Sequence, residues 1–438
     1  MRVALPIALQ SLIGSSLNLI DNLMVGNLGE SSLAAVGIGI QPFFVFWMLM
    51  FGFVSGSATF MSQFWGAEDV KNVKKTLGFA ICVSMCAGVV FFICGMFFAE
   101  YIVNIFTNIP ELKPLAAEYI KMGSPCFLLM PVTVPITFCL RTTQQTKIPL
   151  YVSTFAFCTN TFLNYMLIYG NFGAPKLGVP GAALATVFAR LLEMLVVLAV
   201  VFCGKNVIAG RPSEYFGWKK GFVPKIFNNA VPTTLNETLW GLGTAMYTAA
   251  YARVGGTAFA AVQAGRVIEN LFIMAAFSIG DAALILIGQR LGAGELEYGY
   301  ELAKKLLKIG VAVGVVFGAA LIAISKPVIS LFNFTPEGGK MAFYILIIYG
   351  ATMSITLFNA INVVGVLRSG GDTKFAMITE SLCVWLIGVP MAFIATKWLR
   401  LPIYFAVLLV CMEEVVKSFL LFKRFISKKW VKNVINTM

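Results

Sequence analysis

Apolar runs long enough to cross a lipid bilayer recur along this chain, and they constrain its fold more strongly than any other feature. A transmembrane helix needs about 20 consecutive, mainly apolar residues. Only 12% of the 438 residues are charged, whereas soluble domains carry about 25%. The chain is therefore predicted to be an all-α polytopic membrane protein. Twelve transmembrane helices are predicted, at residues 3–25, 35–60, 76–98, 116–140, 149–170, 179–203, 226–252, 258–288, 303–325, 341–366, 375–397 and 402–424.

The second half of the chain repeats the first. A shift of 226 positions places Pro6 on Pro232 and aligns the segment "SQFWGAE" with "GQRLGAG". Because each half holds six spans, the halves are predicted to be parallel repeats about an axis along the membrane normal, an arrangement found in secondary transporters. The predicted domains are a six-helix lobe at 1–203, a cytoplasmic connection at 204–225, a second six-helix lobe at 226–424 and a basic cytoplasmic tail at 425–438.

Lysine and arginine are distributed unevenly between the two sides of the predicted membrane. Counting residues at span edges with the adjoining connection, 21 of the 33 lie on the side that holds both termini, 7 on the other side and 5 within spans. This positive-inside asymmetry predicts a multi-pass protein of the cell membrane with both termini in the cytoplasm. The net charge of +13 is thus attributed to topology, and no nucleic-acid partner is expected.

The residue types that enzymes and metal sites use are sparse. Histidine is absent, and the nine cysteines lie in apolar runs without Cys-x-x-Cys or Cys/His spacing, so neither a disulfide framework nor a zinc site is expected. The chain also lacks a phosphate-binding loop and a nucleophile–base constellation. We therefore predict a protein that is not an enzyme and needs no cofactor. Any uphill transport would draw on an ion gradient.

Asp21, in the stretch "LNLIDNLMVG", is the acidic residue that most strongly indicates function. An ionised side chain at the centre of a membrane helix costs about 2.5–3.5 kcal/mol, and such residues mark ion pathways. Its span holds no basic residue, which predicts a group that exchanges a proton or coordinates a cation; a merely solvated carboxylate is the alternative. Asn18, one turn away, and Gln10, on nearly the same face, are candidate partners. Asn160 and Asn164, one turn apart in span 5, are predicted either to join this site or to bond neighbouring helices.

Other acidic residues in the spans have basic neighbours or no clear role. Glu269 follows Arg266 by three residues, which predicts an internal ion pair first and a site role second. The role of Glu237 is open, and Asp281 is a candidate to line a cavity in the second half. Ion pairs are also predicted for Arg190 with Glu193, and for Glu413 and Glu414 with Lys417.

Four segments together resemble the multidrug and toxic compound extrusion (MATE) transporters, over essentially the whole chain. They are "LPIALQSLIGSSLNLIDNLMVGNLG" at the start, "GVPGAALATVFAR" at 178–190, "IGQRLGAGE" at 287–295 and "GVLRSGGDTKF" at 365–375. The chain is most similar to the prokaryotic DinF-like branch, which has an essential aspartate fifteen residues after a bending proline, the spacing of Asp21 and Pro6. The resemblance implies a V-shaped pair of six-helix lobes.

In that branch, the span 1 aspartate joins an asparagine and an aspartate of span 5 and a threonine of span 6. Asn160 and Thr186 match this set, whereas Asn164 replaces the second acid. One acid fewer favours a proton over sodium, although Asp21, Asn160 and Asn164 could still supply oxygen ligands to Na⁺. Other branches use a span 7 glutamate eight residues after a proline; here Trp240 holds that position, and the site is not carried over.

The resemblance implies a monomeric secondary active transporter that exports organic, often cationic or aromatic compounds such as drugs and dyes. Export would be coupled to entry of H⁺ or Na⁺, with Asp21 as the coupling carboxylate and Pro6 as a hinge. A flippase for lipid-linked saccharides of the same superfamily is the first alternative, and a channel the second. The flippase would be expected to place more basic residues in its central cavity.

Overall fold

Helices make up nearly all of the chain in the computed structural model, which describes residues 4–219, 221–330, 332 and 334–436, without the side chains of residues 18, 275 and 276. No β-strand occurs in these ranges. The helices of the first half are α1 (Ala4–Gly26), α2 (Glu30–Gly39), α3 (Gln41–Gly66), α4 (Val70–Phe97), α5 (Ala99–Phe106), α6 (Leu112–Gly123), α7 (Cys126–Thr142), α8 (Lys147–Tyr169), α9 (Val179–Phe202) and α10 (Pro212–Phe216).

In the part of the second half that the structure describes, three π-helical segments interrupt the helices, at Ile361–Leu367, Val384–Gly388 and Ile394–Trp398. The first continues α14 and the other two flank α16, so that each series forms one long helical segment. The helices are α11 (Phe222–Ala252), α12 (Gly256–Gly292), α13 (Leu296–Ile329), α14 (Pro336–Ala360), α15 (Thr373–Cys383), α16 (Val389–Phe393) and α17 (Ile403–Ile426).

Twelve helical segments occupy the positions of the twelve predicted spans, which confirms the predicted all-α architecture of two six-helix halves. Among the described residues, seven segments are long and apolar enough to cross a membrane, or eight if α6 and α7, bent by 49°, form one span. The four remaining spans are α1, α8, α11 and α17. These four carry more polar residues, and both polar clusters described below are built largely on them.

The chain divides into two compact units. Unit 1 runs up to Met61 and resumes over Asp69–Pro224, and unit 2 consists of Ser62–Glu68 and the chain from Lys225 onward. The predicted connection at 204–225 therefore packs mainly as part of unit 1. Within it, the Trp218 indole nitrogen donates to the backbone carbonyl of Lys75 on α4 at 3.0 Å.

The segment after α17, predicted as a basic cytoplasmic tail from residue 425, is folded against unit 2. Trp430 is fully buried, and its ring stacks on Phe425 with a centroid separation of 5.9 Å. Its indole nitrogen donates to the carbonyl oxygen of Phe425 at 3.2 Å. Arg424 binds Asp372 through two nitrogen–oxygen contacts of 2.6 and 2.9 Å. Burial of this indole fixes the end of the chain to the helices of its own unit.

Candidate functional site

Asp21 on α1 is linked to α8 and α9 by a series of side-chain hydrogen bonds. The Asn164 amide nitrogen donates to Oδ1 of Asp21 at 2.5 Å and to Oδ1 of Asn160 at 3.0 Å. The Asn160 amide nitrogen donates to Oγ1 of Thr186 at 3.3 Å, and the Thr186 hydroxyl donates to the carbonyl oxygen of Ala182 at 3.0 Å. The structure thus brings together the predicted residues Asp21, Asn160, Asn164 and Thr186, which we name the Asp21 site.

Close packing of α8 on its neighbours positions these side chains. α8 packs on both α1 and α9. Gly181 permits the contact with α9, because a Cβ at this position would lie 2.6 Å from the carbonyl oxygen of Leu167. Asn160 and Asn164 lie one turn apart on α8 and are 1% and 0% exposed. Their amides must therefore find partners within the protein, since water does not reach them.

One oxygen atom of the Asp21 site is unsatisfied. Asn164 uses its amide nitrogen for Asp21 and Asn160, but its buried Oδ1 has no hydrogen-bond partner among the described residues. A buried acceptor without a partner costs about 1–3 kcal/mol. The oxygen is therefore positioned to accept a hydrogen bond from a protonated Asp21, or to coordinate a cation held by that carboxylate.

No basic side chain neutralises Asp21 directly. Within the described part of the chain, Asp21 forms no salt bridge. Arg190 on α9 is paired with Glu193 through an Nη1–Oε2 distance of 2.6 Å, which confirms that predicted ion pair. The guanidinium interacts with Asp21 only at longer range, as does the Tyr119 hydroxyl. Because the charges of Arg190 and Glu193 cancel, this pair supplies no net positive charge to balance an ionised Asp21.

Three other residues predicted around Asp21 have different positions or roles. Gln10 is not a partner of Asp21: its amide nitrogen donates to Oγ of Ser153 at 2.8 Å, and its Oε1 accepts from Nη2 of Arg141 at 2.7 Å. Pro6, the predicted hinge, lies in the first described turn of α1, which is continuous from Ala4 to Gly26. The side chain of Asn18 lies outside the described residues.

In unit 2, the structure gives Glu237 a partner that the sequence reasoning did not identify. Arg368 donates to Oε1 of Glu237, and the two side chains are 1% and 9% exposed. The repeat carried a signal for this pair, because the aligned motifs "RTTQQTK" and "RSGGDTK" place Arg368 opposite Arg141. Each arginine reaches the polar residues that follow the proline in the first helix of its own half.

The predicted ion pair between Arg266 and Glu269 does not form a direct salt bridge among the described residues. Arg266 donates instead to Oγ1 of Thr248 at 2.9 Å and interacts with Glu269 only at longer range. Three-residue spacing places both side chains on one side of α12 but leaves the choice of partner to the adjacent helix. Asp281 is also on α12 and is 7% exposed.

The predicted pairing of Glu413 and Glu414 with Lys417 is confirmed, but the group is larger than the sequence indicated. The ammonium nitrogen of Lys417 lies 2.7 Å from Glu414 and 3.1 Å from Glu413, and also 3.7 Å from Glu380 on α15. Glu380 was missed because it lies 33 or more residues from the other members in sequence. No group of three or more acidic, cysteine or histidine residues in the described ranges is arranged to hold a metal ion.

A family model and known proteins match this chain over most of its length. The MatE family model matches residues 6–166 and 232–394, and the two matched segments begin 226 residues apart, the offset of the internal repeat. The probable multidrug resistance protein NorM of Thermotoga maritima is 26% identical over 450 residues, covering 100% of this chain and 93% of the relative. The probable multidrug resistance protein YoeA of Bacillus subtilis is 26% identical over 406 residues, covering 91% and 86%.

Solved structures share the fold. The chain superposes on a MOP superfamily transporter from Pyrococcus furiosus with a TM-score of 0.89 at 18% identity, covering 98% of this chain and 95% of that one. An outward-facing MATE family transporter of the same superfamily gives the same TM-score, identity and coverage. Near-complete coverage of both chains shows that this chain has the fold of those proteins.

Proposed function

Because this chain belongs to the MatE family of membrane transporters, we propose that it is a secondary active exporter of organic compounds, with Asp21 as its coupling carboxylate. The exported compounds would be drugs and dyes, often cationic and aromatic, and the driving ion a proton. One observation carries the proposal: Asp21 is an acid without a salt bridge among the described residues. It accepts a hydrogen bond from Asn164 on α8, and Asn160 continues the series to Thr186 on α9.

The names of the relatives support the substrate class. Relatives that match nearly the whole chain are named as multidrug resistance proteins, including MdtK of Yersinia pseudotuberculosis, which is 24% identical over 415 residues. The family consists of transporters, and this chain is accordingly a transporter rather than an enzyme. A pump of this kind requires no cofactor, because a transmembrane ion gradient supplies the free energy.

The choice of a proton rather than sodium rests on the composition of the Asp21 site. Its members are one carboxylate, two amides and one hydroxyl, so only one side chain can bring a full negative charge. A single carboxylate can bind a proton without further ligands, whereas a hard cation prefers several oxygen ligands at once. Sodium remains the alternative, with Asp21, Asn160 and Asn164 as its ligands.

Proton binding at Asp21 would couple to transport through the hydrogen-bond series. Hydrogen bonds to a charged group contribute about 1.5–3 kcal/mol, and those between neutral groups about 0.5–1.5 kcal/mol. Protonation would therefore remove about 1–1.5 kcal/mol from the existing bond, close to a tenfold change in an equilibrium constant, and would let the carboxyl donate to the unsatisfied Oδ1 of Asn164, so that the link from α1 to α8 is rearranged. We infer that α1 then repacks, that affinity for the bound compound falls, and that the compound leaves outward. Proton release to the cytoplasm restores the first state.

The proposed orientation places both termini in the cytoplasm. It is supported by the basic residues of the connection after α9 and of the segment after α17, including Lys219, Lys428 and Lys429. Positive charges are retained on the cytoplasmic side during insertion. We propose that the protein acts as a monomer, since each unit contains its own polar clusters.

The flippase alternative predicts uncompensated basic residues within the spans. The structure instead places carboxylates beside Arg190, Arg368 and Lys417. These pairs leave little positive charge to attract an anionic head group, which favours export of cations. A channel would not require the hydrogen bonds at Asp21 to alternate between two states. The internal repeat is also typical of transporters that work by alternating access.

Transport into everted vesicles tests the proposal. Cells lacking their own multidrug pumps would express the full chain, and uptake of a fluorescent organic cation would be followed with proton and sodium gradients imposed separately. We expect uptake with the proton gradient alone, and loss of at least nine-tenths of it in D21N. The matched control is E100Q, which changes an exposed carboxylate of unit 1 and should transport normally. Proton-driven uptake by a well-expressed D21N protein would refute the assignment.

A further inference from the structure

A group of ionisable residues in unit 2 holds more negative than positive charge. The group consists of Glu380 on α15 and Glu413, Glu414 and Lys417 on α17, and we name it the Lys417 cluster. The Lys417 side chain is 2% exposed, and the three glutamates are 14%, 5% and 20% exposed. With all four groups ionised, three negative charges face one positive charge. The cluster then carries two uncompensated negative charges in the interior of a membrane protein.

Two buried asparagine amides beside the cluster each have an oxygen atom that no donor reaches among the described residues. The Asn236 amide nitrogen donates to Oε2 of Glu380 at 2.7 Å, and the Asn359 amide nitrogen donates to Oε2 of Glu414 at 2.6 Å. The two side chains are 3% and 2% exposed, and the Oδ1 atom of each is a buried acceptor without a partner in the described part of the chain. Each amide therefore points into the cluster with an unused acceptor beside a carboxylate. A proton on that carboxylate would supply a donor.

Glu380 is the member least compensated by the lysine. Lys417 lies 2.7 Å from Glu414 and 3.1 Å from Glu413, but 3.7 Å from Glu380. The Tyr247 hydroxyl donates to Glu413 as well. Within the described residues, Glu380 thus has a single short hydrogen bond, from a neutral amide. Coulomb attraction falls with distance, so the first proton to enter the cluster should bind there.

Gly388 leaves space beside its backbone for Glu413 and Tyr247 to meet. A Cβ on Gly388 would lie 2.0 Å from Oε2 of Glu413 and 2.1 Å from the Tyr247 hydroxyl oxygen. Glycine at this π-helical position therefore lets two polar side chains from other helices meet. The lysine nitrogen occupies the centre of the three carboxylates, where a metal cation would otherwise have to bind, so a proton is the ion that fits.

Other charged and titratable groups surround the cluster, and most are compensated elsewhere. Glu237 is held by Arg368, and Arg266 lies near Glu269 on α12. None of these groups lies within salt-bridge distance of Lys417 among the described residues, and none cancels the excess. The groups that face the cluster are Glu237, Tyr247 and Tyr251 of α11, Glu269 of α12, Cys383 of α15 and Cys411 of α17.

We propose that the Lys417 cluster is a second proton-binding site, centred on Glu380, with Lys417 as a tethered internal counter-ion. The inference deepens the proposed function, because a proton bound in unit 2 would add to the one bound at Asp21 in each transport cycle. Lys417 makes the site selective: it repels metal cations, yet one protonated carboxyl fits beside it.

Counting released protons tests this directly, without any transport substrate. Purified full-length protein in lipid nanodiscs would be shifted from about pH 6 to about pH 8 in weak buffer, and a pH-indicating dye would report the protons released per chain. Exposed glutamates, with pKa values of about 4.3, are already ionised in this range. We expect E380Q to release one proton fewer than the wild type, D21N one fewer, and the double variant two fewer.

The matched control is E297Q, which removes an exposed carboxylate of the same unit that pairs with Lys428, and it should release as many protons as the wild type. Infrared absorption of the protonated carboxyl group gives a second readout, and its amplitude should fall in E380Q at the lower pH. Release and carboxyl absorption equal to the wild type in a folded E380Q protein would overturn the proposal. If D21N releases as many protons as the wild type while E380Q releases one fewer, the role of Asp21 is refuted and the assignment of the Lys417 cluster stands.

A lysine variant tests the internal counter-ion. Replacing Lys417 by methionine removes the only positive charge of the cluster, so K417M should release one proton more than the wild type. If K417M does not fold, the charge-balanced variant E414Q/K417M keeps two excess negative charges and should release as many protons as the wild type. Release of fewer protons than expected from either variant would contradict the assignment of two excess negative charges to the Lys417 cluster.

Discussion

The buried pair of Glu237 and Arg368 allows a structural role to be separated from a coupling role. The two side chains are 9% and 1% exposed, so water screens them little. Removing one partner of a buried ion pair costs about 3–5 kcal/mol, because the other charge stays buried. Replacing both partners by apolar residues is often neutral or stabilising by about 1–4 kcal/mol. We therefore expect E237Q to destabilise unit 2 strongly, and E237M/R368M to recover most of that loss.

The magnitude is large enough for thermal unfolding in detergent. For a domain of 150–250 residues, 1 kcal/mol corresponds to about 2–4 °C in Tm, so E237Q should melt roughly 6–20 °C below the wild type. The double variant should melt within a few degrees of the wild type and export a fluorescent cation in everted vesicles. Gln10, which meets Arg141 in unit 1, gives the control: Q10L removes a neutral partner and should cost less.

Two results would refute this reasoning. If E237Q has the same Tm as the wild type, Glu237 does not balance the charge of Arg368 in the folded protein. If E237M/R368M is as stable as the wild type but no longer transports, Glu237 itself takes part in coupling, like the span 7 glutamate of other branches. The second result would move the functional carboxylate of unit 2 to α11.

Three further predictions address the Asp21 site, the Lys417 cluster and the end of the chain. N164D adds a second acid beside Asp21 and should make transport sodium-dependent, measured as vesicle uptake with a sodium gradient; unchanged ion preference would show that this position does not select the ion. G388A would place a methyl group 2.0 Å from Glu413 and should cost about 1–3 kcal/mol by thermal unfolding, whereas equal stability would show that the pair has room to move. W430A should cost about 3–5 kcal/mol and expose the final segment to limited proteolysis, and resistance equal to the wild type would contradict its anchoring role.

The positions of the spans and the internal repeat could be predicted because both are properties of the linear chain. Hydropathy over about 20 residues depends only on composition along one helix. The offset of 226 residues is visible in letters such as Pro6 and Pro232, and it returns in the two segments that match the MatE family. The spacing of Asn160 and Asn164 likewise places both side chains on one face of α8, where Asn164 donates to Asp21 and to Asn160.

Partners on other helices could not be predicted by the same means. Gln10 was placed near Asp21 by helical periodicity, yet it bonds Ser153 and Arg141. Arg266 was matched to Glu269 on its own helix, yet it donates to Thr248 on α11. Periodicity states which residues share a face of one helix. It does not predict which neighbouring helix covers that face, or which residues of that helix lie opposite.

By itself, the sequence determined a membrane protein of twelve helices in two related halves, with an acid in the first helix that has no basic residue in its own span. Only the tertiary structure decided that Asn160, Asn164 and Thr186 link this acid to two other helices, and that Glu380 joins Lys417. The physical reason is that burial of a helix follows from its own apolar residues, whereas the partner of a buried polar group depends on atoms that distant segments bring within about 3 Å.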